Sequence, residues 1–414
     1  MTLDIKATTP EFEVTVDRVA TGGSTLGLAP DGRVVFVDGG VPGDVLNVEV
    51  TAEHRRRLEA KVLSVVAPSN DRVEPTCAHR RQGCGGCDWQ HVAPSAQISL
   101  RADIVADCLR RLGGFANASD LVKPAHPVPL ALNQYRTTVR AAIVDGRAGM
   151  RMAGSHEMVK IPDCETAHPL VRQLLDDGRF GTAQEVTVRV GARTGERLVI
   201  VSPDSSSVEV PEGVIVVGVD ELDDQVPGSD ESTFFHEVVG GHKFRISARS
   251  FFQCRPDGAE LLAATVKRMV DDCEPTPGGV FLDAYSGVGL FGALAAGDRP
   301  VVAVESSKWS VADARINLGS DAKVIKASLE RWRPEPATVV VADPARAGLG
   351  KQAASRLVAT GCEVLVLVSC DPASLARDAK ILDGHGYELV EVALVDMFGQ
   401  TSHIEAVSRF QPRR

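Results

Sequence analysis

The chain has 414 residues, which is too long for one ordinary domain, and its apolar fraction of 44% is normal for a soluble globular protein. No apolar run could cross a bilayer and the first residues lack the apolar core of a signal peptide, so we expect a cytoplasmic protein without a membrane partner. The net charge of −10 is set by ten acids between Asp204 and Glu237; without them, 45 acids equal the 45 bases, so the charge neither supports nor excludes RNA binding.

Residues 10–66 predict a small closed β-barrel of the OB-like type. Apolar residues alternate along FEVTVDRV, and RVVFV, DVLNVEV and RLEAKVLSVV follow as further short strands. Glycines and prolines punctuate these runs, including the pair Gly22 and Gly23. Many short strands joined by such turns are typical of a barrel.

The second predicted region, residues 67–240, begins with a cysteine cluster. CAHRRQGCGGCDWQ places Cys77, Cys84 and Cys87 in one loop, and Cys164 in IPDCETAHP is the best candidate for a fourth ligand. Nine cysteines in a cytoplasmic chain favour metal binding or catalysis over disulfides. Four thiolates can hold a structural zinc ion or an iron–sulfur cluster, and the spacing alone does not choose between them.

The same region contains a predicted helix, residues 93–115. In APSAQISLRADIVADCLRRLGG, the apolar residues Ile98, Val105, Leu109 and Leu112 recur at helical spacing. Gly113 is the expected C-terminal stop, because glycine commonly ends helices.

Residues 241–414 predict a parallel, doubly wound α/β sheet. The apolar strands GVFLDAY, VVAVES, TVVVADP and VLVLVSC alternate with helix-like segments such as KWSVADARINL. Open sheets of this kind bind their ligands at the carboxyl ends of the strands.

The glycine turn in FLDAYSGVGLFG indicates a cofactor site. Gly287, Gly289 and Gly292 satisfy the dinucleotide fingerprint, although a single match of this kind is weak. Asp283 would repel a pyrophosphate, but it would favour the sulfonium and ammonium groups of S-adenosylmethionine. Glu305, at the end of the next strand, can accept both ribose hydroxyls of either cofactor. These residues favour S-adenosylmethionine over NAD.

A thiol follows the last of these strands, where Cys370 stands just before Pro372, and Asp343 ends the strand before it. A thiolate that adds to C6 of a pyrimidine makes the ring an enolate, whose C5 can attack a sulfonium methyl group. A base must then remove the C5 proton. DMFGQTSHIEAV offers His403 and Glu405 on one face of an apparent strand, and the residues alone do not choose between them.

Five short motifs together resemble the RNA uracil-5-methyltransferases, the family that makes 5-methyluridine. The motifs are SFFQ (Ser250 to Gln253), DAYSGVG, DPAR, SCDP and DMFGQTSHIE, in the family's order and at about its spacing. The resemblance covers nearly the whole chain. It implies a class I methyltransferase sheet in residues 241–414, preceded by a TRAM barrel and a central α+β domain, with RNA as the partner.

The resemblance also implies roles for individual residues. Cys370 is the nucleophile and Glu405 the base for the C5 proton, with Asp343 also near the uracil edge. Phe251 is a candidate stacking surface for RNA bases, and Ser328 occupies a further cofactor-contact position. The residues implied to hold S-adenosylmethionine are Gln253, Tyr285, Glu305 and Asp343.

For the cysteines, the resemblance favours a [4Fe–4S] cluster over zinc. The implied ligands are Cys77, Cys84, Cys87 and Cys164. The cluster's expected role is structural, ordering a long loop that touches RNA. The resemblance further implies that the 93–115 helix packs with the catalytic domain rather than with its sequence neighbours.

Some positions depart from the family pattern and affect the expected shape of the uridine pocket. The departing residues are Cys254, Arg255, Ala345, Asp371 and Gly399. Asp371 replaces an asparagine beside Cys370, and its charge could raise the pKa of the thiol if both groups were ionised.

The sequence therefore predicts a monomeric, S-adenosylmethionine-dependent enzyme that methylates uridine C5 in RNA. Large-subunit ribosomal RNA is the leading substrate and transfer RNA the alternative. RNA cytosine-5 methylation is a chemical rival, but DPAR lacks a second cysteine and HIE is present. An NAD-dependent iron–sulfur oxidoreductase and an RNA-binding module without catalysis are rivals from other classes.

Overall fold

The computed structural model describes residues 10–152 and 157–413. Its first unit is a closed barrel with the strand order β1-β2-β3-β5-β4, which confirms the predicted barrel. The alternating residues Val14 and Val16 point into the barrel, where they meet Val35 and Val37. The strands are β1 (Glu11–Val19), β2 (Thr25–Leu28), β3 (Val34–Asp38), β4 (Val45–Glu53) and β5 (Arg57–Ala67).

Strand β2 is the one barrel strand that no apolar run predicted. It has four residues, and a side chain at Gly27 would come within 2.6 Å of the Thr15 carbonyl oxygen. Gly27 therefore allows the close approach of β1 and β2, and it also removes the apolar alternation by which a strand is recognised.

A helical segment connects the barrel to the central unit. Helix α2 continues as one π turn over Leu109–Gly113 and ends at Gly114, which is left-handed with φ +86°. The terminating glycine is thus Gly114, not the predicted Gly113. The elements are α1 (Ala78–Arg81), α2 (Pro94–Cys108), α3 (Ala118–Leu121) and β6 (Val122–Pro124).

The central unit is a six-stranded sheet with the order β12-β11-β10-β7-β8-β9, covered by one helix. Val171 and Leu174 of the helix pack on Val186 and Val188 of the sheet. The elements are β7 (Thr138–Val144), β8 (Arg147–Arg151), β9 (Met158–Lys160), α4 (Pro169–Asp177), β10 (Glu185–Val190), β11 (Arg197–Ser202) and β12 (Ile215–Gly218).

The third unit opens with a hairpin and a helix, and strands and helices then alternate. The hairpin is β13 (Phe234–Val239) and β14 (His242–Ser247), and the helix is α5 (Pro256–Asp271). The alternating elements are β15 (Phe281–Ala284), α6 (Leu290–Leu294), β16 (Val301–Glu305), α7 (Lys308–Leu318), β17 (Lys323–Lys326), β18 (Val339–Ala342), α8 (Gly350–Val358), β19 (Val364–Ser369), α9 (Pro372–Gly384), β20 (Tyr387–Leu394) and β21 (Ala406–Pro412).

The catalytic sheet has the order β17-β16-β15-β18-β19-β21-β20-β6. Strands β15 to β19 are parallel, and β21 returns antiparallel to β19. The direction of winding reverses between β15 and β18, and this switch point is where such sheets bind ligands. Val366 packs in one core and Leu367 in the other, which explains the continuous apolar run of β19.

Residues 94–124 join this sheet rather than the central unit that follows them in sequence. Strand β6 pairs with β20 through Val122 and Val392. Ile104 and Leu109 of the α2 helix lie in the same core as Leu375 of α9. Within residues 10–152 and 157–413, no helix is long and apolar enough to span a membrane.

Candidate active site

A cleft of about 750 Å³ opens where strands β15, β16, β18 and β19 end. Its wall also includes residues just before α5 and the loop that precedes β21. The cleft brings together residues that the sequence predicted from separate motifs: Gln253, Tyr285, Glu305, Asp343, Cys370 and Glu405. All six predicted catalytic and cofactor-binding residues therefore line the same cleft.

The glycine turn gives the cleft an open backbone wall. Tyr285 is left-handed with φ +60°, a strained conformation for a non-glycine residue. Gly287 has φ +53°, and a Cβ there would meet no atom within 4 Å, so the backbone faces free space. The Glu305 carboxylate accepts from the Gly287 N–H at 3.1 Å and from the Ser306 and Ser307 N–H groups at 2.6 and 2.7 Å. These hydrogen bonds hold the carboxylate at the turn, where it can accept hydrogen bonds from the hydroxyl groups of a ribose.

Asp283 lies behind this turn, buried at the end of β15. Its Oδ2 accepts from the Gly292 N–H at 2.8 Å, whereas Oδ1 is buried without a hydrogen-bond partner. Burial raises the pKa of Asp283 to about 7, and the charges of Asp343 and Glu305 add to the effect. Asp283 is fully buried and does not line the cleft, so it acts on a ligand there only through its charge, which favours a cation and opposes a pyrophosphate. The turn therefore fits S-adenosylmethionine better than NAD.

Cys370 lies between strand β19 and helix α9. The Asp371 carboxylate caps that helix by accepting from the Ser374 N–H at 2.7 Å, a role that asparagine would fill as well. Burial, and then the charges of Glu405 and Asp343, raise the pKa of the Cys370 thiol to about 11, while Arg346 opposes them. The charges that raise this pKa therefore belong to Glu405 and Asp343, not to Asp371 as expected.

Asp343 and Glu405 are two buried carboxyl groups whose charges act on the thiol. Burial raises the pKa of Asp343 to about 7. Burial, and next the charge of Asp343, raise the pKa of Glu405 well above its usual range. Two carboxylates at one site resist ionising together, so the pair takes up a proton near neutral pH.

His403 and Glu405 both line the cleft, but they do not lie on a strand. Strand β21 begins at Ala406, so strand alternation does not explain why the two side chains share the cleft. His403 is exposed and meets the Phe398 ring edge-on, with 5.8 Å between centroids. Glu405 is only 5% exposed and acts electrostatically on the Cys370 thiol. Of the two, Glu405 is the side chain enclosed beside the thiol.

The cleft also contains residues outside the predicted set. Arg136, Arg249 and Arg346 supply positive charge to its wall. Arg249 directly precedes the SFFQ motif and Arg346 is the last residue of DPAR, so a search for basic residues in and beside the motifs would have found both. Arg136 comes from the central unit and carries no sequence signal. Ser328 is not among the residues that line the cleft, and its cofactor contact stays a prediction.

Phe251 lies at the mouth of the cleft. Its side chain is 70% exposed, unlike the neighbouring Phe252, which is buried in the core. An exposed aromatic ring beside a cleft is an available surface for a base to stack on.

The four predicted metal ligands, Cys77, Cys84, Cys87 and Cys164, line a second cavity. The Cys164 Sγ lies 3.6 Å from the Thr166 hydroxyl oxygen. Among the described residues, however, no three His, Cys, Asp or Glu side chains are arranged to hold a metal ion. The arrangement of the side chains therefore supports neither the predicted [4Fe–4S] cluster nor the zinc alternative, and only the shared cavity groups the four cysteines.

Comparisons with known proteins agree with this fold. The TRAM domain model matches residues 10–63, and the tRNA (uracil-5-)-methyltransferase model matches residues 327–410. An uncharacterized RNA methyltransferase of Streptomyces avermitilis is 36% identical, over 97% of this chain and 98% of its own. One from Streptomyces coelicolor is 35% identical, over 97% of this chain and 93% of its own.

A solved structure shares the fold over almost the whole chain. The Pyrococcus abyssi tRNA (uracil-54, C5)-methyltransferase, in complex with S-adenosyl-L-homocysteine, has a TM-score of 0.72 and 24% sequence identity. The match covers 96% of this chain and 100% of that one. The chain belongs to the RNA methyltransferases, which are S-adenosylmethionine-dependent enzymes, and its residues 327–410 match the uracil-5-methyltransferase model.

Proposed function

We propose that this enzyme methylates C5 of a uridine through a covalent bond between Cys370 Sγ and C6 of the base. The observation that carries the proposal is that one cleft holds a thiol, a buried carboxylate and the cofactor turn. A thiol and a base next to a methyl donor are what methylation of an unreactive pyrimidine carbon requires.

Four residues are proposed to hold S-adenosylmethionine, which supplies the methyl group. Glu305 is oriented by three backbone N–H groups to accept from the ribose hydroxyls. Tyr285 and Gln253 line the wall near the turn, and Asp343 lies between the cofactor turn and the thiol. We therefore propose that Asp343 binds the uracil edge as well.

The first chemical step belongs to Cys370. Its pKa of about 11 keeps the thiol protonated at neutral pH, so the proton must leave as the sulfur attacks. Asp343 is the neighbouring base that we propose to accept it, so that Glu405 stays ionised for the second step. The S–C6 bond forms and the C5=C6 electron pair moves toward O4. C5 would then bond to the methyl group as the bond from that group to the sulfonium sulfur breaks, which leaves S-adenosylhomocysteine.

The second step belongs to Glu405. It takes the proton from C5, the electron pair re-forms C5=C6, and the S–C6 bond breaks to release the thiolate. A carboxylate of raised pKa is a stronger base than an ordinary glutamate, and such help is typically worth about 10²–10⁴-fold in rate.

The RNA must present the uridine outside its stack, at a cost of a few kcal/mol. Phe251 at the mouth of the cleft is proposed to stack on a base, which offsets part of that cost. The barrel of residues 10–66 and the region 67–240 are proposed to contact the RNA backbone, while residues 241–414 carry the chemistry. Helix α2 is the exception, because it packs in the catalytic core.

We propose large-subunit ribosomal RNA as the substrate, on the arrangement of barrel and cysteine loop. Transfer RNA is the second candidate, because the matching family model and the Pyrococcus abyssi enzyme are named for it. Both RNAs therefore belong in the first experiment.

We also propose that the four cysteines hold a [4Fe–4S] cluster rather than a single ion. What supports this is that all four cysteines line one cavity. A cluster of four irons and four sulfides is larger than an ion and keeps its cysteines farther apart. No catalytic step is assigned to it.

The test is methyl transfer by anaerobically purified enzyme to ribosomal and transfer RNA that lack 5-methyluridine, read by nucleoside mass spectrometry. We expect 5-methyluridine in one pool, and none with Cys370→Ala. Cys273→Ala, a thiol outside the cleft, is the matched control and should keep activity. 5-Methylcytidine instead of 5-methyluridine would refute the uridine assignment.

A further inference from the structure

The residues before Glu405 form an irregular loop that is held from outside. We call residues 396–402 the base loop. The Val395 N–H donates to the Glu405 carbonyl oxygen at 2.9 Å, and this hydrogen bond joins the two chain segments that flank the loop. Between these ends the loop has no strand or helix of its own. Its shape must therefore come from contacts with other segments.

Arg101 of helix α2 supplies the largest set of these contacts. Its Nη1 donates to Asp396 Oδ1 at 2.7 Å, and its Nη2 donates to the carbonyl oxygens of Thr401 at 2.7 Å and Phe398 at 3.1 Å. Arg101 is 2% exposed and Asp396 is 9% exposed. A buried arginine thus binds both ends of a loop that lies about 300 residues later in the chain.

Gln97, one helical turn earlier, holds the middle of the loop. The Gln400 N–H donates to Gln97 Oε1 at 3.0 Å, and Gln97 Nε2 donates to Gln400 Oε1 at 3.1 Å. The Trp89 N–H donates to the Gln400 carbonyl oxygen at 3.0 Å. Gln400 has φ +66°, a strained conformation that persists only where surrounding contacts impose it.

Asp88 holds the last residue of the loop. Its two carboxylate oxygens accept from the Ser402 N–H at 3.1 and 3.3 Å. Asp88 follows Cys87 directly, so this contact connects the cysteine loop to the base loop. We call Asp88, Trp89, Gln97 and Arg101 the brace.

We propose that the brace positions Glu405 for proton removal, with Arg101 and Asp88 as positioning residues that do not touch the substrate. The inference rests on the proposed function, because it assigns the brace to the step that Glu405 performs. The loop ends three residues before Glu405, and a displacement of about 1 Å at a reacting group can lower a rate about 10²-fold. Loss of the brace should therefore slow the resolution of the Cys370–C6 adduct without preventing its formation.

The experiment compares turnover with adduct formation in Arg101→Met and Asp88→Ala. RNA carrying 5-fluorouridine traps the adduct, because a base cannot remove fluorine from C5 as it removes a proton; the trapped protein–RNA species is counted on a denaturing gel. We expect Arg101→Met to lower the single-turnover rate on ordinary RNA about 10- to 100-fold, and Asp88→Ala by less. Both variants should trap fluorinated RNA at the wild-type level and accumulate adduct on ordinary RNA, as Glu405→Gln should.

Arg409→Met is the matched control, because Arg409 Nη2 also pairs with a carboxylate, the partly buried Glu391, at 2.8 Å but outside the cleft. It should show no accumulated adduct. If Arg101→Met and Asp88→Ala lose trapping and turnover in parallel, or keep both, the brace does not position the base. If the wild type traps no fluorinated RNA, the proposed function itself fails and this inference with it.

Discussion

The Cys370 thiol offers a direct test of the electrostatics of the cleft. After burial, the charge of Glu405 is the largest cause that raises the pKa of this thiol to about 11. At pH 8 a thiol of that pKa is about 10⁻³ ionised. Glu405→Gln keeps the size of the side chain and removes the charge. Because Glu405 is ionised where the thiol titrates, we expect the thiol midpoint to fall by about one pH unit, which means about tenfold more thiolate.

The assay is alkylation by iodoacetamide from pH 7 to 10, with the modified Cys370 peptide quantified by mass spectrometry. The variant should react faster than wild type, and the ratio should widen as pH rises and Glu405 of the wild type ionises. Glu388→Gln, an exposed carboxylate on β20, is the control and should leave the rate unchanged. Equal or slower alkylation in Glu405→Gln would refute the reasoning that this carboxylate faces the thiol.

Three further predictions follow from the same structure. Asp343→Asn removes the charge that raises the pKa of Glu405. The midpoint of the rise in kcat/KM on the acidic side of its pH profile should therefore move to lower pH. An unchanged midpoint would show that the two groups titrate independently. Phe251→Ala should raise KM for RNA about tenfold and leave the Kd for S-adenosylmethionine unchanged, as expected for loss of one stacked base; equal losses in both would contradict a stacking role. Cys84→Ser should lower the iron content and visible absorbance of anaerobically purified protein, and wild-type iron would rule out its role as a ligand.

Local patterns in the sequence predicted the elements of this fold well. Apolar runs ending in motif residues located β15, β18 and β19, because strands buried on both faces need continuous apolar sequence. The same reasoning placed Asp343 and Cys370 at one sheet edge, since parallel strands end together. Where a strand was short and contained glycine, as in β2, the pattern failed.

The choice between His403 and Glu405 shows what local sequence could not determine. Both residues precede β21, and their two-residue spacing indicated a shared strand face that the structure does not contain. What separates them is burial: Glu405 is enclosed beside Asp343, whereas His403 is exposed. Burial depends on which distant segments pack around a residue, and no short pattern records that.

The sequence by itself determined the strand ends, the glycine turn and the chemical groups available there, because each depends on residues close together in the chain. Only the tertiary structure decided which groups meet. Arg136 reaches the cleft from the central unit, and Arg101 reaches the base loop from a helix that precedes it by about 300 residues. Such contacts are set by sheet order and helix packing, so they become visible only when the whole chain is folded.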